Sequence, residues 1–305
     1  MATLTPTEIL SQTLEAFKKS TPLISKFSTD LSDERAMKDQ VIQAHIRQLP
    51  TVGDYGADGY FSNATNANSL FLDVPLTLDQ HKHVTINLTH LNALSDEKKN
   101  TSIGDSAFVL GKAVVDSALA KITAANFTNS EIVTTANTDK STLNAARKNL
   151  VTQGANTSNL YGLINSDFSE ALLEDTRITS KDFNGQEPTD DALNVLTGVS
   201  GFKEIREYAD FPANAESLEA FFFDPRAICL ATRLPNDSTQ LAASMGIPSV
   251  ASTVEVTDPE SGLSMLGIMH MQPGTLDMYL TVTVIWGTTV GGTNLDDSGY
   301  RITSA

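Results

Sequence analysis

The chain has 305 residues, 40% of them hydrophobic, and a net charge of −16. This length and hydrophobic content allow a substantial core, and we expect the chain to divide into two lobes. The acidic balance argues against a protein whose main task is to grip nucleic acid, because neutralising phosphates needs clustered Lys and Arg side chains. No apolar run reaches the roughly 20 residues of a membrane span, and residues 1–20 lack a secretory signal, so we expect neither membrane insertion nor export.

The N-terminal segment carries one amphipathic helix signal. Thr7 is the predicted N-cap, and Lys18 and Lys19 lie near the predicted C-terminal end, where the helix dipole favours cations. The apolar residues of the helix share one face: Ile9, Leu10, Leu14 and Phe17. This stripe packs either on its own domain or on a neighbouring copy of the chain as an arm.

Three segments with period-two alternation follow, and each predicts a half-buried strand: Gln40–Leu49, Asp73–Asp79 and His83–Thr89. The first two are separated by the polar, Gly- and Asn-rich stretch Pro50–Ser69, which contains no Lys or Arg. Connections inside compact domains usually have about 4–6 residues, so this stretch predicts a projecting hairpin tip with contacts outside its own domain. Its aromatic residues, Tyr55, Tyr60 and Phe61, are the predicted contact residues. A disordered surface loop is the alternative.

The strongest helix signal runs from about Ile103 to Thr123. Ser102 is the predicted N-cap, with Asp105 in the capping-box position. The stripe of this helix is continuous over its whole length: Ile103, Ala107, Leu110, Val114, Ala118 and Ile122. At about 1.5 Å per residue such a helix spans about 30 Å, which is long enough to run along the whole length of a flat domain.

The rest of the chain predicts a mixed α/β segment followed by strands. The predicted elements are a helix at Ser141–Val151, a strand at Leu160–Ile164, a helix at Asp167–Leu173, a strand at Phe202–Tyr208, a buried strand at Phe221–Phe223, a helix at Arg226–Thr232 after Asp224-Pro225, and strands at Ser249–Val256, Met265–Met271 and Tyr279–Trp286.

Features that would indicate an enzyme are weak. The glycine motifs that cradle phosphates are missing. His81 and His83 share a strand face, but no Cys cluster or helical Asp/Glu–His pair completes a metal site. Cys229 lies in an apolar run, which predicts a buried and inert thiol. We therefore expect no catalytic residues, no cofactor and no metal.

The order of these elements, and several local segments, resemble the major capsid proteins of tailed bacteriophages, which have the Hong-Kong-ninety-seven-type shell fold. Val74–Leu88 looks like the end of the extended loop, and Ser158–Leu173 resembles the strand, Asn and helix that open the axial domain. Phe221–Arg233 is similar to a later axial-domain segment, and Tyr279–Gly287 to the closing strands. No single one of these segments is a strict signature, so the resemblance rests on all of them together and on their order in the chain.

The resemblance implies an α+β fold with five parts. These are an N-terminal arm at 1–37, an extended β-hairpin loop at 38–79, a peripheral domain with a long spine helix at 80–129, an axial domain at 130–264, and returning strands at 265–305.

The resemblance also implies a function: a structural subunit that assembles as pentamers and hexamers into an icosahedral shell around double-stranded DNA, without sequence-specific binding. We expect a separate scaffolding protein, because the first predicted strand begins close to the N-terminus, together with a portal and an optional decoration protein as partners. The expected location is the virion, after assembly in the host cytoplasm. Two alternatives remain: an encapsulin-type cellular compartment protein, and an unrelated acidic hydrolase or binding protein.

Overall fold

A computed structural model describes residues 5–20, 22–47, 71–93, 96–134, 138–179, 195–208, 211–212, 214, 216–236, 250–271, 277–291 and 298–304. The helices in these ranges are α1 (Pro6–Ser20), α2 (Leu88–Ala93), α3 (Asp96–Leu119), α4 (Lys140–Thr152), α5 (Ser166–Glu174) and α6 (Thr176–Thr179). The strands are β1 (Ser28–Ala36), β2 (Val41–Arg47), β3 (Phe71–Thr77), β4 (Gln80–Asn87), β5 (Ser130–Ile132), β6 (Tyr161–Ile164), β7 (Val195–Thr197), β8 (Glu204–Glu207), β9 (Leu218–Phe223), β10 (Ile228–Pro235), β11 (Val250–Thr257), β12 (Ser264–Met271), β13 (Met278–Val290) and β14 (Gly299–Thr303).

Strand β13 is the centre of the first sheet, whose order is β1-β10-β13-β12-β11 with β4 also paired to β13. Because Tyr279–Thr283 pairs with both β12 and β4, these two strands lie on opposite edges of β13. The apolar face of β13 packs on α1 and α3, and the opposite face packs on the β2–β3 hairpin. The first sheet is therefore covered on both sides.

Helix α1 packs on its own chain. Its predicted apolar stripe is buried against α3, β11 and β12, so the own-domain alternative is the one observed. The cap is Thr5 and not Thr7: the Thr5 hydroxyl accepts from the Glu8 backbone N–H at 3.3 Å, and the Thr5 N–H donates to the Glu8 carboxylate at 2.7 Å. This reciprocal capping box places Pro6 at the first helical position, where its missing N–H costs nothing.

Helix α3 has the predicted stripe but different ends. It begins at Asp96 rather than near Ile103, so Ser102 lies inside the helix, where its carbonyl accepts from the Ser106 hydroxyl at 2.8 Å. The 24 residues of α3 span about 36 Å. Two hydrogen bonds fix α3 on β13, because Trp286 Nε1 donates to the Ser117 hydroxyl at 2.7 Å and the Thr288 hydroxyl donates to the Ser117 carbonyl at 3.1 Å.

The second sheet has the order β5-β14-β9-β6-β8-β7. Helices α4 and α5 cover one of its faces and form a separate apolar core there. Both helices are capped as their sequences favour, α4 by Asp139 and α5 by Asn165. The other face carries Tyr161, Phe221 and Phe223, which belong to the same apolar cluster as the first sheet.

The predicted helix at Arg226–Thr232 is wrong. One 3₁₀ turn at Pro225–Ala227 is followed directly by β10, every residue of which is buried. This strand lies between β1 and β13, and a strand buried on both faces shows no alternation that would distinguish it from a buried helix.

The membership of strands in the two sheets does not follow the predicted division of the chain into five parts. Strand β1 lies in the range 1–37 and was not predicted, because its polar sequence shows no apolar alternation. Strands β10 and β11 lie in the predicted axial range 130–264 but pair in the first sheet with β12 and β13. The domain boundaries themselves stay predictions.

Candidate assembly surface

The β2–β3 hairpin is held on the first sheet by one apolar face. Ala44, Ile46 and Leu76 are buried, and they pack on Cys229 and Ile285 of the sheet. The two strands pair in antiparallel register, with Ala44 opposite Val74. The predicted alternation of both strands is confirmed, and the root of the hairpin belongs to the body of the subunit.

Two glycines allow the hairpin and its neighbouring turn to approach β13 closely. A Cβ atom on Gly287 would overlap the carbonyl oxygen of Thr77 at the end of β3. A Cβ atom on Gly291 would overlap the carbonyl oxygen of Arg226 and would lie 3.0 Å from Ile46 Cδ1. A side chain at either position would push the hairpin or the turn away from the sheet.

The outer face of the hairpin is polar, with apolar side chains at its base. His45 and Asp73 lie opposite each other, and the Nδ1–Oδ1 distance is 2.6 Å. At the base, Met37 is 63% exposed and Val41 is 57% exposed. The described part of the hairpin reaches Arg47 on β2 and Phe71 on β3. The predicted contact residues Tyr55, Tyr60 and Phe61 lie outside the described residues and stay predictions.

Helix α3 exposes a second apolar spot on the side away from the sheet. Phe108 is 51% exposed and the adjacent Val109 is 59% exposed, although the buried stripe of the same helix is complete. Neighbouring large apolar side chains that remain exposed mark contact sites more often than scattered ones do. Sequence patterning missed this pair, because it looks only for the stripe that faces the core.

The shifted pKa of Asp139 belongs to a group that holds local structure. The Ser141 hydroxyl lowers the pKa of Asp139 to about 2; burial opposes this, and Arg177 adds to it. Asp139 caps α4, and Arg177 also bonds Asp175 at the start of α6. Cys229 is buried, as predicted, and this burial, with a smaller contribution from Asp30, raises the pKa of the thiol to about 12.

The histidines of β4 lie on one face, as predicted. His81 Nε2 is 2.9 Å from the Thr283 hydroxyl, and burial lowers the pKa of His81, with a further contribution from His83. In the described part of the chain, no three His, Cys, Asp or Glu side chains are grouped so as to hold a metal ion. Among the helices described, none is long and apolar enough to span a bilayer.

Comparison with known proteins places the fold. Neither a protein-family model nor a curated protein sequence matches the chain. The capsid structure of the cyanophage P-SCSP1u matches with a TM-score of 0.54 at 10% identity, covering 92% of this chain and 86% of that one. The mature capsid of bacteriophage PhiM1 matches with a TM-score of 0.51 at 10% identity, again covering 92% and 86%. The predicted α+β fold class is confirmed: this chain has the shell fold of bacteriophage capsid proteins.

Proposed function

We propose that this chain is the major capsid protein of a tailed bacteriophage, a structural subunit that assembles as pentamers and hexamers into an icosahedral shell. The observation that carries the proposal is the shared fold, which extends over 92% of the chain in the cyanophage P-SCSP1u match. The proposed role is structural, because the structures that share this fold over most of the chain are phage capsids.

The surface of the subunit supports this role. The hairpin is anchored at its root, and the apolar side chains at its base and on α3 remain exposed in the single chain. A closed shell repeats each subunit contact many times, so contacts that are individually weak suffice to hold it together. We propose that Tyr55, Tyr60 and Phe61 add to these contacts at the hairpin tip.

The charge of the chain fits a container for double-stranded DNA. A net charge of −16 keeps free subunits soluble and limits adhesion of the packaged DNA to the shell. The proposed partners are further copies of this chain, a separate scaffolding protein, a portal and an optional decoration protein. The proposed location is the virion, with assembly in the host cytoplasm.

Electron microscopy and sedimentation of the purified protein test the proposal. We expect closed shells when the chain is produced with its scaffolding protein, and pentamers, hexamers or shells when it is produced alone. A protein that stays monomeric or forms a small fixed oligomer under both conditions would contradict the proposal. Shells that copurify with a cargo enzyme would indicate a cellular compartment instead.

A further inference from the structure

The two sheets are joined by a very short covalent connection. Strand β9 of the second sheet ends at Phe223, and β10 of the first sheet begins at Ile228 after a single 3₁₀ turn. The buried carboxylate of Asp224 organises this turn: it accepts from the Asn156 N–H at 3.0 Å, the Arg226 N–H at 3.1 Å and Arg226 Nη2 at 2.9 Å. The junction is also held by packing, because Phe221 and Phe223 of the second sheet belong to the apolar cluster of the first sheet.

The segment Pro22–Phe27, which we name the strap, leads into β1 of the first sheet and contacts the second sheet. Its last two residues contact the second sheet: Lys26 Nζ lies 2.7 Å from Glu204 Oε2, and the Phe27 ring centroid lies 5.4 Å from that of Phe223. The next residue, Ser28, opens β1 and pairs with Cys229 of the first sheet. Three consecutive residues, Lys26, Phe27 and Ser28, therefore contact both sheets.

The contacts of the strap are mostly shielded from water. The side chains of Lys26 and Glu204 are only 23% and 15% exposed, and Lys26 Nζ also lies 5.3 Å from the centroid of the Tyr161 ring. Glu204 accepts from Arg206 as well, at 2.8 Å and 2.9 Å, so it keeps a partner when Lys26 is removed. Phe27 is buried together with Leu23 and Ile24 of the strap. Loss of Lys26 would therefore loosen the strap without leaving an unpaired buried charge.

We infer that the strap fixes the angle between the two sheets, so that subunits with an intact strap close shells of one diameter. The inference about shell diameter rests on the proposed function, whereas the inference about the angle concerns the single subunit. The turn at Asp224 and the apolar cluster shared by both sheets also hold this junction, and the strap adds to them an ion pair and a ring contact that restrain rotation between the sheets.

Lys26→Met tests the strap, with Lys19→Met as the matched control. The control removes the same charge from an exposed ion pair with Glu15 on α1, away from the junction. A second pair, Phe27→Leu and Phe202→Leu, compares a buried ring at the junction with a buried ring inside the core of the second sheet. Each variant also carries spin labels on cysteines at the exposed positions Thr101 of α3 and Lys148 of α4, and Cys229 stays buried and unlabelled.

We expect one narrow distance distribution between the labels in the unaltered strap and in both controls, and a broader one in Lys26→Met and Phe27→Leu. Shells of these two variants should shift from one diameter to several. An unchanged distance distribution would overturn the inference whether or not shells form, and a broadened distribution with a single shell diameter would overturn its link to curvature. Absence of shells from the unaltered chain would contradict the proposed function and leave the distance measurement as the test of the strap.

Discussion

The regions around the two sheets differ in how completely they bury their own apolar surface. The second sheet and its helices enclose a core of their own, and among the described residues of this region the large exposed apolar side chains are Ile132 and Val151. The first sheet leaves more exposed, at the hairpin base, on α3 and at the end of β12: Met37, Val41, Phe108, Val109 and Met271. We infer that contacts between subunits concentrate on the first region, because its apolar surface is the part that a neighbour would cover.

Removal of the hairpin tip is expected to have the largest effect on assembly. Deletion of Gly53–Asn68 should leave a folded, soluble subunit that cannot close shells, because the root of the hairpin is held by its own buried face. Circular dichroism and thermal melting check the fold, and electron microscopy checks assembly. Normal particles from the deletion would show that the first region assembles without the tip.

A side chain at position 287 should displace the β2–β3 hairpin from the first sheet. We expect Gly287→Val to lower the free energy of unfolding by about 1–3 kcal/mol, because its Cβ would overlap the Thr77 carbonyl. Gly104→Ala on α3 is the matched control, since nothing lies within 4 Å of its added Cβ. That control should raise the free energy of unfolding by about 0.5–1 kcal/mol through helix propensity. Denaturant titration measures both, and equal stability of the two variants would contradict the seating of the hairpin.

The exposed pair on α3 should matter for assembly and not for folding. Replacing both residues, Phe108→Gln and Val109→Gln, should change the free energy of unfolding by no more than about 0.5 kcal/mol, because neither side chain is buried in the subunit. The concentration needed for assembly should rise. Val151→Gln on the second region is the control and should assemble normally, as measured by light scattering. The reverse pattern would place the subunit contacts on the second region.

The smallest stability effect concerns the ion pair that attaches α1 to the turn between β11 and β12. Lys18 Nζ lies 2.8 Å from Asp258, and this contact, helped by Ser261, lowers the pKa of Asp258 to about 2. A carboxylate with a lowered folded pKa stabilises the fold above its unfolded pKa of about 3.9, and this contribution is lost as the pH falls toward the folded pKa.

Asp258→Asn should therefore melt below the unaltered chain at neutral pH, and the difference should shrink from about pH 4 downward. Glu260→Gln is the control, because Glu260 is 3.8 Å from Lys18 Nζ and is largely exposed. Its effect should be smaller at every pH. A difference for Asp258→Asn that persists at about pH 2 would show that the ion pair is not its cause.

We expect no covalent cross-links between subunits. The predicted tip Pro50–Ser69 contains no lysine, and Lys82, at the root of the hairpin, lies with its Nζ 6.0 Å from the centroid of the buried Trp286 ring of its own chain. In the cross-linking member of the family that the sequence resembles, the reacting lysine lies in the extended loop, whereas Lys38 and Lys82 lie at the two roots of the hairpin here. Mature particles boiled in denaturing detergent should run as one band near 32.7 kDa, and a ladder of larger bands would contradict this expectation.

Local patterning was sufficient for elements that have one buried and one exposed face. The stripes of α1 and α3 and the alternation of β2, β3 and β4 are all visible in the sequence. In an element with one buried face, apolar residues recur with the period of the helix or strand. The predicted caps of α1 and α3, Thr7 and Ser102, were nevertheless wrong, because α1 is capped by Thr5 and α3 begins at Asp96. The resemblance to capsid proteins depended on the order of such elements.

Only the tertiary structure decided the elements whose surroundings come from distant parts of the chain. Strand β10 is buried on both faces, so its helix-like apolar run became a strand only through pairing with β1 and β13. Polar β1 has no apolar period, and it is held by that same pairing. The seating of the hairpin depends on Gly287, where the need for a missing side chain arises from Thr77 across the sheet. Sequence periodicity reports which face of an element is buried, and it carries no information about the partner that buries it.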